Sequence, residues 1–183
     1  MKALPWIPLF VVTALPCLAE KAAFELRRPA GQLVVTARLE NVKEEEILSA
    51  LEQGLESEIV YHFRLFERTT GIFSFLGDRL LSQEAIGFTA SLDRFNNTYV
   101  IDPTQGEPRL FKEKNDFLCR FLELEAHAFS EFQPEPDKQY YLRARIQLTP
   151  AVISGPLSII LLFFRTGITT EWIELAVEPG VSR

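Results

Sequence analysis

The chain has few residues of the types that metal sites and nucleophilic catalysis require. Its 183 residues include two cysteines, two histidines and one methionine. No serine or cysteine stands in a Gly-x-Ser-x-Gly motif, and the sequence contains no glycine-rich phosphate loop and no zinc or calcium ligand spacing. His62 and His127 are far apart in sequence and make a poor set of metal ligands. We therefore expect a protein that is not an enzyme and that has no catalytic residues, no metal and no cofactor.

An excess of positive charge is also missing. The chain has 19 lysines and arginines against 25 aspartates and glutamates, so its formal net charge at pH 7 is −6. Nucleic-acid binding requires a concentrated positive face. We therefore expect no nucleic-acid partner.

The N-terminus has the three-part layout of a secretory signal. Lys2 is followed by an apolar run from Ala3 to Leu15, and the small residues Cys17 and Ala19 precede a possible cleavage site. The run is shorter than the roughly 20 apolar residues that cross a bilayer. We predict a signal peptide over residues 1–19 and one domain over residues 20–183, with a lipid-modified cysteine or an uncleaved anchor as less favoured alternatives. The mature protein is then expected in the periplasm or secreted, either free or held at a membrane surface.

Five segments alternate apolar and polar residues, as strands with one buried face do. These segments are 32–40, 58–68, 83–93, 139–148 and 172–177. A shorter run, 98–101, is expected to pair with the third segment through a turn at 94–97. Such alternation is typical of antiparallel sheets with one solvated face.

A first helix is predicted after the first strand. Asn41 and Glu44 match a capping box. Ile47 and Leu51 fall on the inner stripe of this helix, and Gly54 is expected to end it.

A second helix is predicted over residues 115–132, with a broad apolar face that includes Phe121. His127 falls on its polar face, one turn from Glu123 and from Glu131. Glu125 projects onto the apolar face, where a buried carboxylate would need a partner or a raised pKa. The predicted fold is therefore α+β: a single domain with a mainly antiparallel sheet of about five or six strands and two helices packed on one face.

A possible basic surface comes from arginines on the polar sides of the predicted strands. They are Arg38, Arg64, Arg143 and Arg145. The planar fork of a guanidinium group binds two oxygens of a phosphate or carboxylate at once. If the strands are neighbours, these residues form a positive patch, unless cross-strand acids such as Glu40 and Asp93 neutralise it.

The connection between the second and third strands is unusually apolar for a loop. Residues 72–76 include Phe73 and Phe75, whereas loops normally lie in water. This segment either covers the end of the core or contacts a membrane or a protein partner.

A second apolar segment covers residues 156–164 and is too short to span a membrane. It is expected to form a buried strand or a short buried helix. Alternatively, it lines a cavity for an apolar ligand together with the second helix. The candidate lining residues are Leu157, Ile160, Leu161, Phe164 and Phe121.

The apolar residues around the first helix and second strand also resemble a known family. They are Ala50, Leu51, Gly54, Leu55, Ile59, Phe63 and Leu65, together with the late Trp172. On these residues and the exported N-terminus, the chain resembles domain of unknown function 4390, an uncharacterised bacterial family. The sequence of residues 71–80 resembles the one expected at this place in spirochaete-like members of the family. The resemblance implies a small exported envelope protein and carries no assigned activity or catalytic residues.

These observations predict a non-catalytic envelope protein that binds another macromolecule, either an unidentified envelope protein or a membrane surface. The predicted contact surfaces are the Phe73/Phe75 loop and the arginine-bearing sheet face. The alternative is a carrier for a lipid or another apolar small ligand. A third hypothesis, an acid–base enzyme, depends on Glu125 lying in an accessible cleft near a second polar group.

Overall fold

The computed structural model describes residues 21–29, 32–71, 75, 77–129, 132, 134–135, 137–152 and 167–177. The predicted signal peptide over residues 1–19 lies outside this described part, and so does Phe73. Four predicted cavity residues also lie outside it: Leu157, Ile160, Leu161 and Phe164.

Ten strands and two helices make up the described part of the fold. In chain order they are β1 (Lys21–Arg27), β2 (Leu33–Glu40), α1 (Glu44–Glu52), β3 (Glu56–Glu67), β4 (Arg79–Asp93), β5 (Thr98–Pro103), β6 (Arg109–Phe111), α2 (Lys114–Phe121), β7 (Glu123–Phe129), β8 (Tyr140–Val152), β9 (Ile168–Thr169) and β10 (Ile173–Val177).

The strands form two antiparallel sheets. The small sheet has the order β1-β2-β7. The large sheet has seven strands in the order β10-β8-β3-β4-β5-β6, with β9 also paired to β8. The prediction of a mainly antiparallel sheet is confirmed, and the sheet is larger than the five or six strands expected.

One hydrophobic core joins the two sheets and the two helices. Alternate residues of β3 point into it, and Phe63 contacts the small sheet through Phe24 on β1 and Phe129 on β7, with ring centroids 6.5 and 5.9 Å apart. Ile47 of α1 and Phe117 of α2 belong to the same core. Each fully buried side chain of this size contributes about 1.5–3 kcal/mol relative to exposure. The layer that packs on the large sheet therefore includes a three-stranded sheet. We had expected two helices alone in this layer.

The first helix begins later than its predicted cap. Asn41 has a left-handed backbone with φ of 59°, and Lys43 occupies the N-cap position. The predicted Asn41 capping box is therefore wrong. The buried positions of Ile47 and Leu51 are confirmed, and Gly54 ends the helix with φ of 83°, a conformation that favours glycine.

The predicted helix over residues 115–132 is wrong beyond Phe121. α2 stops there and β7 begins at Glu123. In β7, Leu124 pairs with Ala37 and His127 with Val35, so two residues of β7 oppose one residue of β2. This β-bulge moves the inward positions three residues apart, from Leu124 to His127. A three-residue step imitates the spacing of an amphipathic helix, which explains the error.

The predicted burial of Glu125 is wrong for the same reason. Glu125 lies in the bulge, its side chain is 54% exposed, and it forms an ion pair with Arg120. The acid–base hypothesis required this carboxylate in a cleft beside a second polar group. Glu125 does line a groove together with His127 and Glu84, but its carboxylate is engaged at the surface in the ion pair with Arg120.

Candidate functional site

Three of the four predicted arginines lie together on the outer face of the large sheet, opposite the core. Arg64 of β3 pairs in register with Arg143 of β8, and His62 pairs with Arg145. Because side chains alternate along a strand, all four project to the same side. Arg38 does not join them, because β2 belongs to the small sheet, where Arg38 is exposed.

Trp172 completes this surface. It precedes Ile173, which pairs with Ala144 of β8, so the indole lies on the outer face beside Arg145. The guanidinium carbon of Arg145 is 4.6 Å from the centroid of the indole ring, and that of Arg64 is 4.8 Å from it. Both distances are within the range of a cation–π contact. We call Arg64, Arg145 and Trp172 the arginine–tryptophan cluster.

The acidic partner on this face is Glu174 of β10. It accepts from Arg68 at 2.9 Å and from Arg143 at 3.4 Å. Within the described ranges, no carboxylate lies within ion-pair distance of Arg64 or of Arg145. Arg143 is therefore neutralised by a cross-strand acid, as predicted, but this acid is Glu174 and neither Glu40 nor Asp93. Arg64 and Arg145 of the cluster are not neutralised in this way.

His62 lies on the same face, directly opposite Arg145. Burial lowers its pKa, and the neighbouring Arg145 and Arg64 lower it further, against a hydrogen bond with Gln147. In the part of the chain that the structure describes, the Nε2 atom of His62 and the Nε atom of Arg145 are buried without a hydrogen-bond partner. Unpartnered buried nitrogens are uncommon in folded proteins and call for an explanation.

The loop that carries Phe75 starts at one end of this face. The hydroxyl of Tyr141 donates to Asp78 at 2.7 Å, and the backbone N–H of Thr69 donates to the same carboxylate at 3.0 Å. Arg68 lies over the Tyr141 ring at 5.2 Å. The two ends of the loop are thus attached to the arginine face, and Phe75 itself is 79% exposed.

A histidine–carboxylate pair at the junction of the two sheets was not predicted. His127 was expected on the polar face of a helix beside Glu123 and Glu131, and this expectation is wrong. The bulge turns its ring toward the core, where it stacks on Phe63, and Nε2 lies 2.6 Å from Oε2 of Glu84. The alternation of β4 places Glu84 on the inward side, but it does not show that His127 is its partner.

Two grooves, of about 550 and 640 Å³, lie beside this pair. His127 and Glu84 line both of them. Ser82 donates to Glu84 at 3.4 Å, so the hydroxyl faces the carboxylate and not the imidazole that would have to activate it. The geometry is that of a polar bridge between β4 and β7.

Within the described ranges, no group of three or more histidine, cysteine, aspartate or glutamate side chains is arranged to hold a metal ion. No helix of these ranges is long and apolar enough to cross a bilayer.

Sequence comparison places the chain in a family. The profile of a domain of unknown function (DUF4390) matches residues 19–175. The protein belongs to this family. The match includes the arginine–tryptophan cluster, Glu174 and the His127–Glu84 pair. No curated protein matches the chain, and no solved structure matches it.

Proposed function

We propose that this DUF4390 protein is a non-catalytic module of the bacterial cell envelope that binds an anionic partner through the outer face of its large sheet. The observation that carries the proposal is the arginine–tryptophan cluster. Two guanidinium groups share one indole ring, and in the described part of the chain no carboxylate lies within ion-pair distance of either. The envelope location rests on the predicted signal peptide and on the resemblance to exported family members.

Electrostatics support an anionic partner. Neighbouring positive charges repel each other, and this repulsion is offset when an anionic group lies between them. The chain as a whole carries a formal charge of −6, so the cluster differs in sign from the rest of the protein. Such a local patch orients an approaching anion and increases its association rate.

The Phe75 loop provides a second, apolar contact next to the charged one. An exposed aromatic side chain beside arginines is a common composition at protein interfaces. Since the loop is attached to the arginine face through Asp78 and Tyr141, one partner surface could cover both.

The alternative carrier function has less support. Of its five predicted lining residues, Phe121 is the one in the described part of the chain. Phe121 is 1% exposed and stacks on Phe117 with ring centroids 5.7 Å apart. Its ring therefore belongs to the packed core.

Native mass spectrometry of the protein extracted gently from its own cell envelope tests the proposal. We expect the wild type to carry an associated partner that the Arg64→Gln/Arg145→Gln double variant loses. Arg38→Gln is the matched control, because this exposed arginine lies on the other sheet, and it should retain the partner. Equal retention by all three proteins, or no associated partner in any of them, would contradict the proposal.

The loop is tested in the same way with a matched pair of exposed phenylalanines. Phe75→Ser should weaken retention. Phe95→Ser should not, because Phe95 is fully exposed in the β4–β5 turn at the opposite end of β4. If both variants behave as the wild type does, the loop is not part of the contact surface.

A further inference from the structure

We infer that the group recognised by the arginine–tryptophan cluster is a phosphate, held between the guanidinium groups of Arg64 and Arg145. The inference rests on the proposed function and specifies the chemistry of its ligand. Phosphate groups occur both as free phosphorylated molecules and as phospholipid headgroups, and the experiment below separates these two sources.

The strand register brings the two arginines within reach of one ligand. Arg64 lies opposite Arg143, and Arg145 lies opposite His62, so Arg64 and Arg145 are diagonal neighbours on paired antiparallel strands. Diagonal neighbours have Cα atoms about 7–8 Å apart. The indole of Trp172 brings both guanidinium groups to one place, within 5 Å of its centroid. Both guanidinium groups therefore lie against the same ring, and neither is held in an ion pair by a carboxylate of the described residues.

The number of donors favours phosphate over carboxylate. A carboxylate offers two oxygens, and one guanidinium fork can engage both of them. The cluster has two forks, and His62 beside Arg145 contributes a further nitrogen. A neutral His62 with its proton on Nε2 donates one more hydrogen bond. A phosphate monoester has three terminal oxygens and can accept from all three side chains. The phosphodiester of a phospholipid headgroup has two terminal oxygens, one for each guanidinium fork.

The unpartnered buried nitrogens fit the same ligand. Nε of Arg145 and Nε2 of His62 belong to directly opposed residues and lack hydrogen-bond partners among the described residues. Trp172 lies against Arg145. A phosphate that reaches Nε therefore has to displace the indole, and binding at this place should change the environment of Trp172.

This coupling gives a direct measurement. The chain has two tryptophans, Trp6 and Trp172, so in the full chain with Trp6→Phe the tryptophan fluorescence comes from Trp172 alone. We would titrate this protein with inorganic phosphate, with sodium chloride at matched ionic strength as the control. In parallel, we would titrate it with vesicles of phosphatidylglycerol and of phosphatidylcholine.

A saturable change with phosphate, absent with chloride, supports a site for free phosphorylated molecules. A change with phosphatidylglycerol vesicles but not with inorganic phosphate supports a phospholipid headgroup as the source. In either case, Arg64→Gln and Arg145→Gln should each weaken binding at least about 10-fold, since each removes charge-assisted hydrogen bonds. Arg64→Lys should restore part of the affinity, because it returns the charge without the fork. Arg38→Gln should bind as the wild type does.

The inference is overturned if neither phosphate nor either vesicle changes the fluorescence, or if chloride produces the same change. It is also overturned if the glutamine variants bind as the wild type does while circular dichroism shows them to be folded. If the glutamine double variant still loses its envelope partner in the mass-spectrometry experiment, the proposed binding function stands and only the phosphate is excluded. If the glutamine variants keep both the envelope partner and the titration response, the proposed binding function and the phosphate inference are both excluded.

Discussion

The two faces of the large sheet are built from the same strands and have opposite compositions. On β3, Phe63 is fully buried and meets three aromatic rings of the small sheet, whereas its neighbour Arg64 lies on the outer face against Trp172. On β8, Ala144 is fully buried between Arg143 and Arg145. The alternation of a strand thus gives one face to stability and leaves the other free to collect charges that the fold itself does not need.

The largest effect on stability is expected on β3, where a substitution on the buried face is compared with one at the adjacent residue on the outer face. Phe63→Ala should lower the free energy of unfolding by about 3–5 kcal/mol, because it removes a packed ring and leaves a cavity. Arg64→Gln, the adjacent outer residue, should change it by less than about 0.5 kcal/mol, as surface substitutions do. Urea denaturation followed by circular dichroism measures both. A comparable loss in the two variants would mean that the outer face also carries the stability of the sheet.

A smaller effect of opposite sign is expected from Tyr61 on the buried face. Its hydroxyl is buried without a hydrogen-bond partner in the described ranges, and burial, together with the nearby Glu123, raises its pKa well above the ordinary value. Tyr61→Phe should therefore stabilise the protein by about 1 kcal/mol, since an unpaired buried hydroxyl is costly. Urea denaturation of the variant and the wild type at neutral pH measures the difference.

The pH dependence of Tyr61→Phe follows from the direction of the shift. A raised pKa in the folded state contributes stability below the ordinary tyrosine pKa of 10.0, and this contribution is lost as the pH rises, because the unfolded chain ionises first. The advantage of the phenylalanine variant should thus grow above this pH. A variant that is less stable than the wild type at all pH values would show that the hydroxyl has a stabilising partner.

The smallest effect concerns the attachment of the Phe75 loop to the outer face. The hydrogen bond from Tyr141 and that from the backbone of Thr69 lower the pKa of Asp78. This attachment is present above the ordinary carboxyl pKa of 3.8 and is lost as the pH falls through the lowered value. Asp78→Asn should increase chymotryptic cleavage after Phe75 at neutral pH. At a pH below the lowered pKa, with pepsin in place of chymotrypsin, the wild type and the variant should be cleaved at Phe75 equally fast.

A matched control exists at the other end of β4. The pKa of Asp93 is also lowered, there by hydrogen bonds within the β4–β5 turn. Asp93→Asn should leave cleavage after Phe75 unchanged. Equal cleavage in the wild type and in Asp78→Asn would show that Asp78 does not fix the loop.

Strict alternation made most of the large sheet predictable from sequence. β8 repeats apolar and polar residues from Tyr140 to Leu148, and β3 does so from Ile59 to Leu65. β6 and β9 have three and two residues, which is too short to show a period. β7 contains a bulge, so its inward residues follow a spacing that is typical of a helix. The small sheet was missed mainly because its third strand carries this bulge.

The candidate site was predictable in parts. The polar positions of Arg64, Arg143 and Arg145 followed from alternation, but the adjacency of β3 and β8 depends on a pairing between segments far apart in sequence. Arg38 also lies at a polar position of an alternating strand, but that strand belongs to the small sheet. Alternation alone does not show to which sheet a strand belongs. The same limit applies to His127 and Glu84, which meet only because the two sheets pack together.

The neighbours of β3 also determine when the surface can form during folding. β4 follows β3 in the chain and pairs with it as a hairpin, whereas β8 must return across a long stretch of chain for Leu142 to reach Leu65. Contacts of high sequence separation are slow to form, because the loop must close before they stabilise the structure. The meander of β3, β4 and β5 can therefore assemble first, while Arg64 is still remote from Arg145 and Trp172. A newly made or partly folded chain would carry these residues apart, so the proposed ligand could be bound only when folding of the large sheet is complete.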